Sequence, residues 1–123
     1  MSHDRIAVLV VEDEPLLRMD IVEALTEAGF TVFEAHNATE AIKVLSVNPQ
    51  IHALFTDIDM PGSIDGLKLA AFAKERWPPI KIIVTSGHRR VSDDMLPADG
   101  IFVPKPYGSE QIIRSIRALV SKS

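Results

Sequence analysis

The sequence predicts an α/β fold built on a doubly wound parallel sheet of five strands, with helices on both faces. Two observations lead there. Five apolar runs alternate along the chain with segments of helical spacing, and that order implies right-handed crossovers and parallel strands. Three of the runs, Ile6–Val11, His52–Thr56 and Ile80–Thr85, hardly alternate and are rich in β-branched, aromatic or leucine residues, as in strands covered on both faces.

Each element has its own signals. After the first run, Pro15 stands at a first helical position, where the missing amide has no intrahelical partner. Leu17, Ile21, Ala24, Leu25 and Ala28 then keep one apolar face, and Gly29 supplies the stop. Thr31–Ala35 is the second strand. Asn37, followed by Glu40, resembles a capping box; it opens a helix with Ala41, Ile42 and Leu45 inward, which Asn48-Pro49 ends. Beyond the third strand, Leu67, Ala70, Ala71 and Lys74 line a third helix closed by Pro78-Pro79. Between Ser86 and Gly100 apolar positions are few and Pro97 intervenes, so a short or mobile fourth helix is expected. Gly100–Val103 is the fifth strand. Ser109 caps the last helix, whose Ile112, Ile113, Ile116, Leu119 and Val120 form an apolar stripe.

Composition narrows the function classes. The 123 residues suit one domain, since domains run to ~100–200 residues. Hydrophobic residues make up 46% and the net charge is −4, which argues against disorder and against a basic nucleic-acid footprint. The longest apolar stretch, Ile6–Val11, falls far short of the ~18 residues of a membrane span. No secretory leader is read, and a cytoplasmic protein is expected. With no cysteine, disulfides, thiol catalysis and cysteine-zinc sites drop out together. His3, His36 and His52 lack zinc-ligand spacing, and Arg89-Arg90 is too small for a nucleic-acid patch. Trp77 reads as packing only.

In sheets of this type function collects beyond the carboxyl ends of the strands. Glu12, Asp13 and Glu14 follow the first strand, Asp57 the third, Ser86 the fourth and Lys105 the fifth. Asp13 and Asp57 on adjacent strands would repel unless a cation lay between them, and hard carboxylate oxygens suit Mg²⁺. Asp57 can act as a carboxylate nucleophile towards phosphorus. Lys105 would offset charge growing on phosphoryl oxygens, and Ser86 would donate a hydrogen bond to one of them. Glu14 does no more than favour the positive end of the first helix.

These residues resemble the receiver domain of bacterial two-component response regulators, as in CheY-like proteins, over roughly Arg5 to Val120 of a single domain spanning 1–123. The matching pieces are Val10-Val11-Glu12-Asp13-Glu14-Pro15, Asp57-Ile58-Asp59-Met60-Pro61-Gly62 with Asp65-Gly66, Val84-Thr85-Ser86-Gly87, and Val103-Pro104-Lys105-Pro106-Tyr107. The resemblance implies a flavodoxin-like (βα)₅ fold with strand order 2-1-3-4-5. It implies that Asp57 takes a phosphoryl group from a sensor histidine kinase or a histidine phosphotransfer protein, with Mg²⁺ as cofactor. Asp13 would be a direct metal ligand, Glu12 would act through water, and the carbonyl of Asp59 would be a further ligand. Ser86 and Phe102 match the residues that shift on phosphorylation. The output surface would be the fourth helix, fifth strand and fifth helix, reading out to a downstream protein; the family also admits homodimers. Lys105-Pro106 would be a cis peptide, which only an X-Pro bond makes accessible.

Some positions depart from the family pattern. Gly87 stands where alanine is usual, removing a methyl at the mouth of the site. Asp59 and His88 occupy positions that tune phosphoryl lifetime. The 19-residue step from Ser86 to Lys105 is short and points again at the fourth helix. The short end beyond the last helix fits a stand-alone receiver and equally a domain excised from a longer protein. Apart from its own phosphorylation and dephosphorylation, no catalysis is expected. Two rivals are a haloacid-dehalogenase-like phosphohydrolase, suggested by Asp57-Ile58-Asp59, and a pseudo-receiver that binds a partner without phosphate. The phosphohydrolase motif normally follows the first strand, and the complete polar set argues against the pseudo-receiver.

Overall fold

The computed structural model describes residues 5–60, 62 and 64–121. Strands β1 (Ala7–Val11), β2 (Thr31–Ala35), β3 (Ala53–Asp57), β4 (Lys81–Ser86) and β5 (Ile101–Pro104) form one parallel sheet in the order β2-β1-β3-β4-β5. The helices are α1 (Pro15–Glu27), α2 (Ala38–Val47), α3 (Gly66–Arg76) and α4 (Ser109–Ser121). Strand residues alternate between two cores. Leu9, Val11, Leu54, Ile82 and Val84 pack under α2 and α3, whereas Val8, Val10, Phe55, Ile83 and Val103 pack under α1 and α4. Both faces of the central strands are therefore dry, which explains their unalternating sequences.

The local signals act as the sequence predicts for α1 and α2. Pro15 is the first residue of α1. At its end the amide of Phe30 bonds to the carbonyl of Leu25 at 3.1 Å and that of Gly29 to Thr26 at 3.0 Å, while Gly29 takes φ 102°. This is a Schellman stop, and Phe30 and Leu25 are buried in the same core. Asn37 accepts from the amide of Glu40 at 2.8 Å. Glu40 reaches back to the amide of His36 at 2.9 Å, one residue earlier than in the standard box. Ile112, Ile116 and Leu119 bury the stripe of the last helix. That helix begins at Ser109, so its capping position falls on Gly108, whose carbonyl accepts from Ile112.

Two expectations are corrected. The buried face of α3 is Gly66, Leu69, Ala70 and Ala73; Leu67 and Lys74 are half-buried and Ala71 is exposed. The first turn at Gly66 lies hard against the end of β3, and this sets the rotation of the helix. Among the described residues there is also no α-helix between β4 and β5, where the fourth was expected, so the (βα)₅ pattern lacks one helix and the helix read as the fifth is α4. Between β4 and β5 stands one 3₁₀ turn, Asp93–Met95. Leu96, restricted by the following proline, is extended, and Asp99 adopts a positive φ of 62°. Too few residues separate these breaks for an α-helix. Val91, Leu96 and Phe102 instead line a groove of about 550 Å³. The anticipated output face thus consists of this segment, β5 and α4.

Gly66 shows how tightly α3 is set on the sheet. Its amide bonds to the carbonyl of Ile58 at 3.1 Å, and a Cβ at 66 would lie 2.1 Å from the carbonyl oxygen of Asp57. Gly66→Ala should therefore destabilise the fold by about 1–3 kcal/mol, the usual cost of overpacking, although alanine is the better helix former. Urea unfolding measures this; an unchanged or higher midpoint would mean that α3 can back away freely.

Candidate functional site

Four strand ends meet where the strand order reverses between β1 and β3. Asp57 closes β3 and Ser86 closes β4, while Glu12 and Lys105 are the first residues beyond β1 and β5. Local backbone bonds fix these exits. The amide of Glu12 bonds to Ala35, that of Ile58 to Thr85, and that of Lys105 to Ser86. The Lys105-Pro106 peptide is cis.

Lys105 Nζ lies 3.1 Å from Glu12 Oε1 and 3.1 Å from Asp57 Oδ2. Glu12 Oε2 accepts from the amide of Glu14 at 3.1 Å, and Asp57 Oδ1 from the amide of Asp59 at 3.0 Å. Both carboxylates are 2% exposed, so each is held by one backbone amide and a shared ammonium rather than by water. Asp13, half-buried, completes the cluster: ligand oxygens of Glu12, Asp13 and Asp57 all lie within 4.8 Å of one another. Three clustered carboxylates, two of them paired with one ammonium, form an acidic pocket that can hold a metal ion.

Burial dominates the proton affinities. It pushes Glu12 up from 4.5 to about 7, helped by the charge of Asp57 and opposed by the Glu14 amide and Lys105. Asp57 is also raised, first by burial, against the pull of the Asp59 amide and Lys105. Burial alone would lower Lys105, but the bonds to Glu12 and Asp57 outweigh it and raise the ammonium above its usual range.

The family model described as the response regulator receiver domain matches residues 8–117. The chain belongs to that family. It is 34% identical over 119 residues to the sensor kinase CckA of Brucella abortus, covering 94% of this chain but 12% of that protein. It is 32% identical to the response regulator receiver protein CpdR of the same organism, covering 92% of this chain and 95% of CpdR. The crystal structure of a response regulator receiver protein from Sinorhizobium medicae superposes with a TM-score of 0.89 at 30% identity, covering 98% of each chain. The chain spans about a quarter or less of several other relatives, such as the 23% of an NtrX-like regulator from Rickettsia felis. Receiver domains belong to two-component signalling and interact with histidine kinases and downstream effectors.

In this receiver domain the remaining predicted residues are less closely gathered. Ser86 is buried, with its hydroxyl on Asp59 at 2.5 Å rather than on Asp57. The two other bonds of that hydroxyl come from the amides of His88 and Arg89. His88 is itself exposed. Phe102 is half-buried against the α2–α3 core. A methyl at Gly87 would touch the Lys105 stem at 3.6 Å, an ordinary contact, so glycine leaves that stem uncovered. Pro61 lies outside the described residues, as does His3. No helix among the described residues is long and apolar enough to cross a membrane.

Three residues make contacts that the sequence did not announce, although Arg89 reads there as one of a basic pair and Asp65 as part of a matching motif. Arg18 donates to the carbonyl of Glu12 at 2.8 Å and to Glu34 at 3.1 Å, tying α1 to the acidic loop. Arg89 pairs with Asp59 at 3.2 Å. Asp65 caps α3 by accepting from the amide of Lys68 at 2.9 Å; an aspartate just ahead of a helical stripe was the available signal. The arginines carry none, because nothing local marks Glu34 or Asp59, 16 and 30 residues away, as their partners.

The acid shifts give a pH dependence with a definite sign. Folded Glu12 and Asp57 hold protons more tightly than the unfolded chain does. Their stabilisation is complete below the ordinary carboxylate range and is lost as pH rises through about 7 for Glu12. In EDTA the unfolding midpoint should fall between about pH 5 and 8, and Glu12→Gln should flatten that decline. A midpoint that climbs over this interval, equally in both proteins, would contradict the burial argument.

Proposed function

We propose that this receiver domain, a single unit over 1–123 with its core at about 5–120, accepts a phosphoryl group on Asp57 from a phosphohistidine of a sensor kinase or phosphotransfer protein. The observation that carries the reading is the shared ammonium: Lys105 touches the one buried aspartate that closes the central strand β3. A carboxylate oxygen of Asp57 attacks phosphorus, the P–N bond to the histidine breaks, and the imidazole leaves with the electron pair. Lys105, freed from Asp57, neutralises the phosphoryl oxygens in a site with little water to compete.

The donor set of clustered hard carboxylates suits Mg²⁺, an ion that binds through a few carboxylates and would supply positions for phosphate oxygen and water. Asp13, Asp57 and the carbonyl of Asp59 would hold it directly and Glu12 through water; bound there, it would draw charge from the phosphoryl oxygens. Asp13 is the least committed of the carboxylates, which favours it as a direct ligand. Ser86 and Phe102 then carry the change to the surface formed by the β4–β5 segment, β5 and α4, where a downstream protein reads it. We place the reaction in the cytosol, with no turnover of other substrates. A phosphohydrolase would need Asp59 as a general acid. Its carboxyl is instead held by Ser86 and Arg89, which outweigh burial and lower its proton affinity.

Acetyl phosphate with Mg²⁺ should add one phosphoryl group, detected by intact mass, and Asp57→Asn should abolish it. Lys105→Ala should retain the site but slow labelling by about 10²-fold, the scale of a lost transition-state donor. Labelling at full rate in Asp57→Asn would move the acceptor elsewhere.

A further inference from the structure

We propose that Asp59 and Arg89 form an off-state latch, which holds the Ser86 hydroxyl away from Asp57 until a phosphoryl group competes for it. The proposal rests on Asp57 being the phosphoacceptor. A serine hydroxyl has one proton to donate and two lone pairs to accept with. In Ser86 all three are engaged: the proton goes to Asp59 Oδ2 at 2.5 Å, and the lone pairs take the amides of His88 at 3.1 Å and Arg89 at 3.0 Å. The hydroxyl therefore cannot donate to an oxygen on Asp57 without leaving Asp59.

Arg89 keeps Asp59 in place. Its Nε donates to Asp59 Oδ1 at 3.2 Å, and its Nη2 stands 3.7 Å from Asp65 Oδ2, on the residue that caps α3. One guanidinium thus ties the chain just after β4 to the β3–α3 loop. A phosphoryl group on Asp57 would arrive beside Asp59, whose amide already bonds to Asp57 Oδ1. The new negative charge repels the Asp59 carboxylate and competes for both its partners, the Ser86 proton and the Arg89 cation. Both would be released by the same event, and with them the anchored start of the helix-less segment. Asp59 and Arg89 are 25% and 44% exposed, so the pair is partly screened and biases the equilibrium rather than locking it.

Beryllofluoride with Mg²⁺, a phosphoryl mimic that favours the switched state, supplies the test by NMR titration of the full chain. Arg89→Ala should bind it about two- to five-fold more tightly than the natural sequence, the range expected for losing a partly exposed ion pair. In a Ser86→Ala background, where there is no hydroxyl to hold, Arg89→Ala should bring no gain. Weaker binding in Arg89→Ala would show that the guanidinium attracts the anion, and equal binding would show no bias; either overturns the latch. A natural sequence that shows no shifts around Asp57 would instead overturn the phosphoacceptor reading, and the latch with it.

Discussion

The ammonium of Lys105, held between two buried carboxylates, is the constraint on which the site depends. Glu12 and Asp57 could not both stay charged at 2% exposure without it, because burying an unpaired charge costs far more than the fold can spare. Its reach to both acids is set by the backbone. Lys105 leaves β5 with its amide bonded to Ser86, on the strand next to the one that ends in Asp57. The side chain therefore crosses the mouth of β4 to the switch point between β1 and β3. Moving any of these strand ends would leave an acid unpaired, so the electrostatics and the sheet register enforce each other.

The same economy holds the other groups. Arg18 fastens the Glu12 carbonyl to α1, and Gly66 lets α3 close over the Asp57 carbonyl. Arg18 thereby positions the acidic loop after β1, and Gly66 the end of β3 that carries Asp57. The result is a carboxylate presented by a rigid strand and held by one amide and one cation. That suits a group that must receive charge without large movement of its surroundings. The β4 exit is built differently: Ser86 and Gly87 have no regular helix behind them before β5.

The sequence made most of this legible, for a physical reason. Parallel strands buried on both faces cannot alternate, so β1, β3 and β4 stand out as apolar runs, and each necessarily ends where polar residues begin. Glu12, Asp57 and Ser86 were visible because they stand at the ends of those runs, and Lys105 because it follows the shorter fifth run. The face of α3 was misread because its stripe offers two nearly equivalent sets, and the choice between them is made by the close approach at Gly66 rather than by hydrophobicity. The Asp59–Ser86–Arg89 chain was invisible for another reason. Its members lie 27 and 30 residues apart, and nothing local marks an exposed arginine as a partner for one acid among many.

The absent fourth helix bears on how a signal leaves the site. A crossover helix packed by an apolar stripe would move as a body and resist small forces at its N-terminus. Here the connection after Ser86 has one 3₁₀ turn and a few half-buried side chains, Val91 and Leu96 among them, over a groove bordered by Phe102. With so few apolar contacts, its local stability is low relative to the core strands. A change of one or two hydrogen bonds at its first residues is then a large fraction of what holds it. Ser86 is joined to those residues directly, through the amides of His88 and Arg89 bonded to its hydroxyl. Under the proposed phosphoacceptor reading, so thin a crossover would let a modest electrostatic event rearrange the surface without the sheet or the carboxylate cluster having to deform.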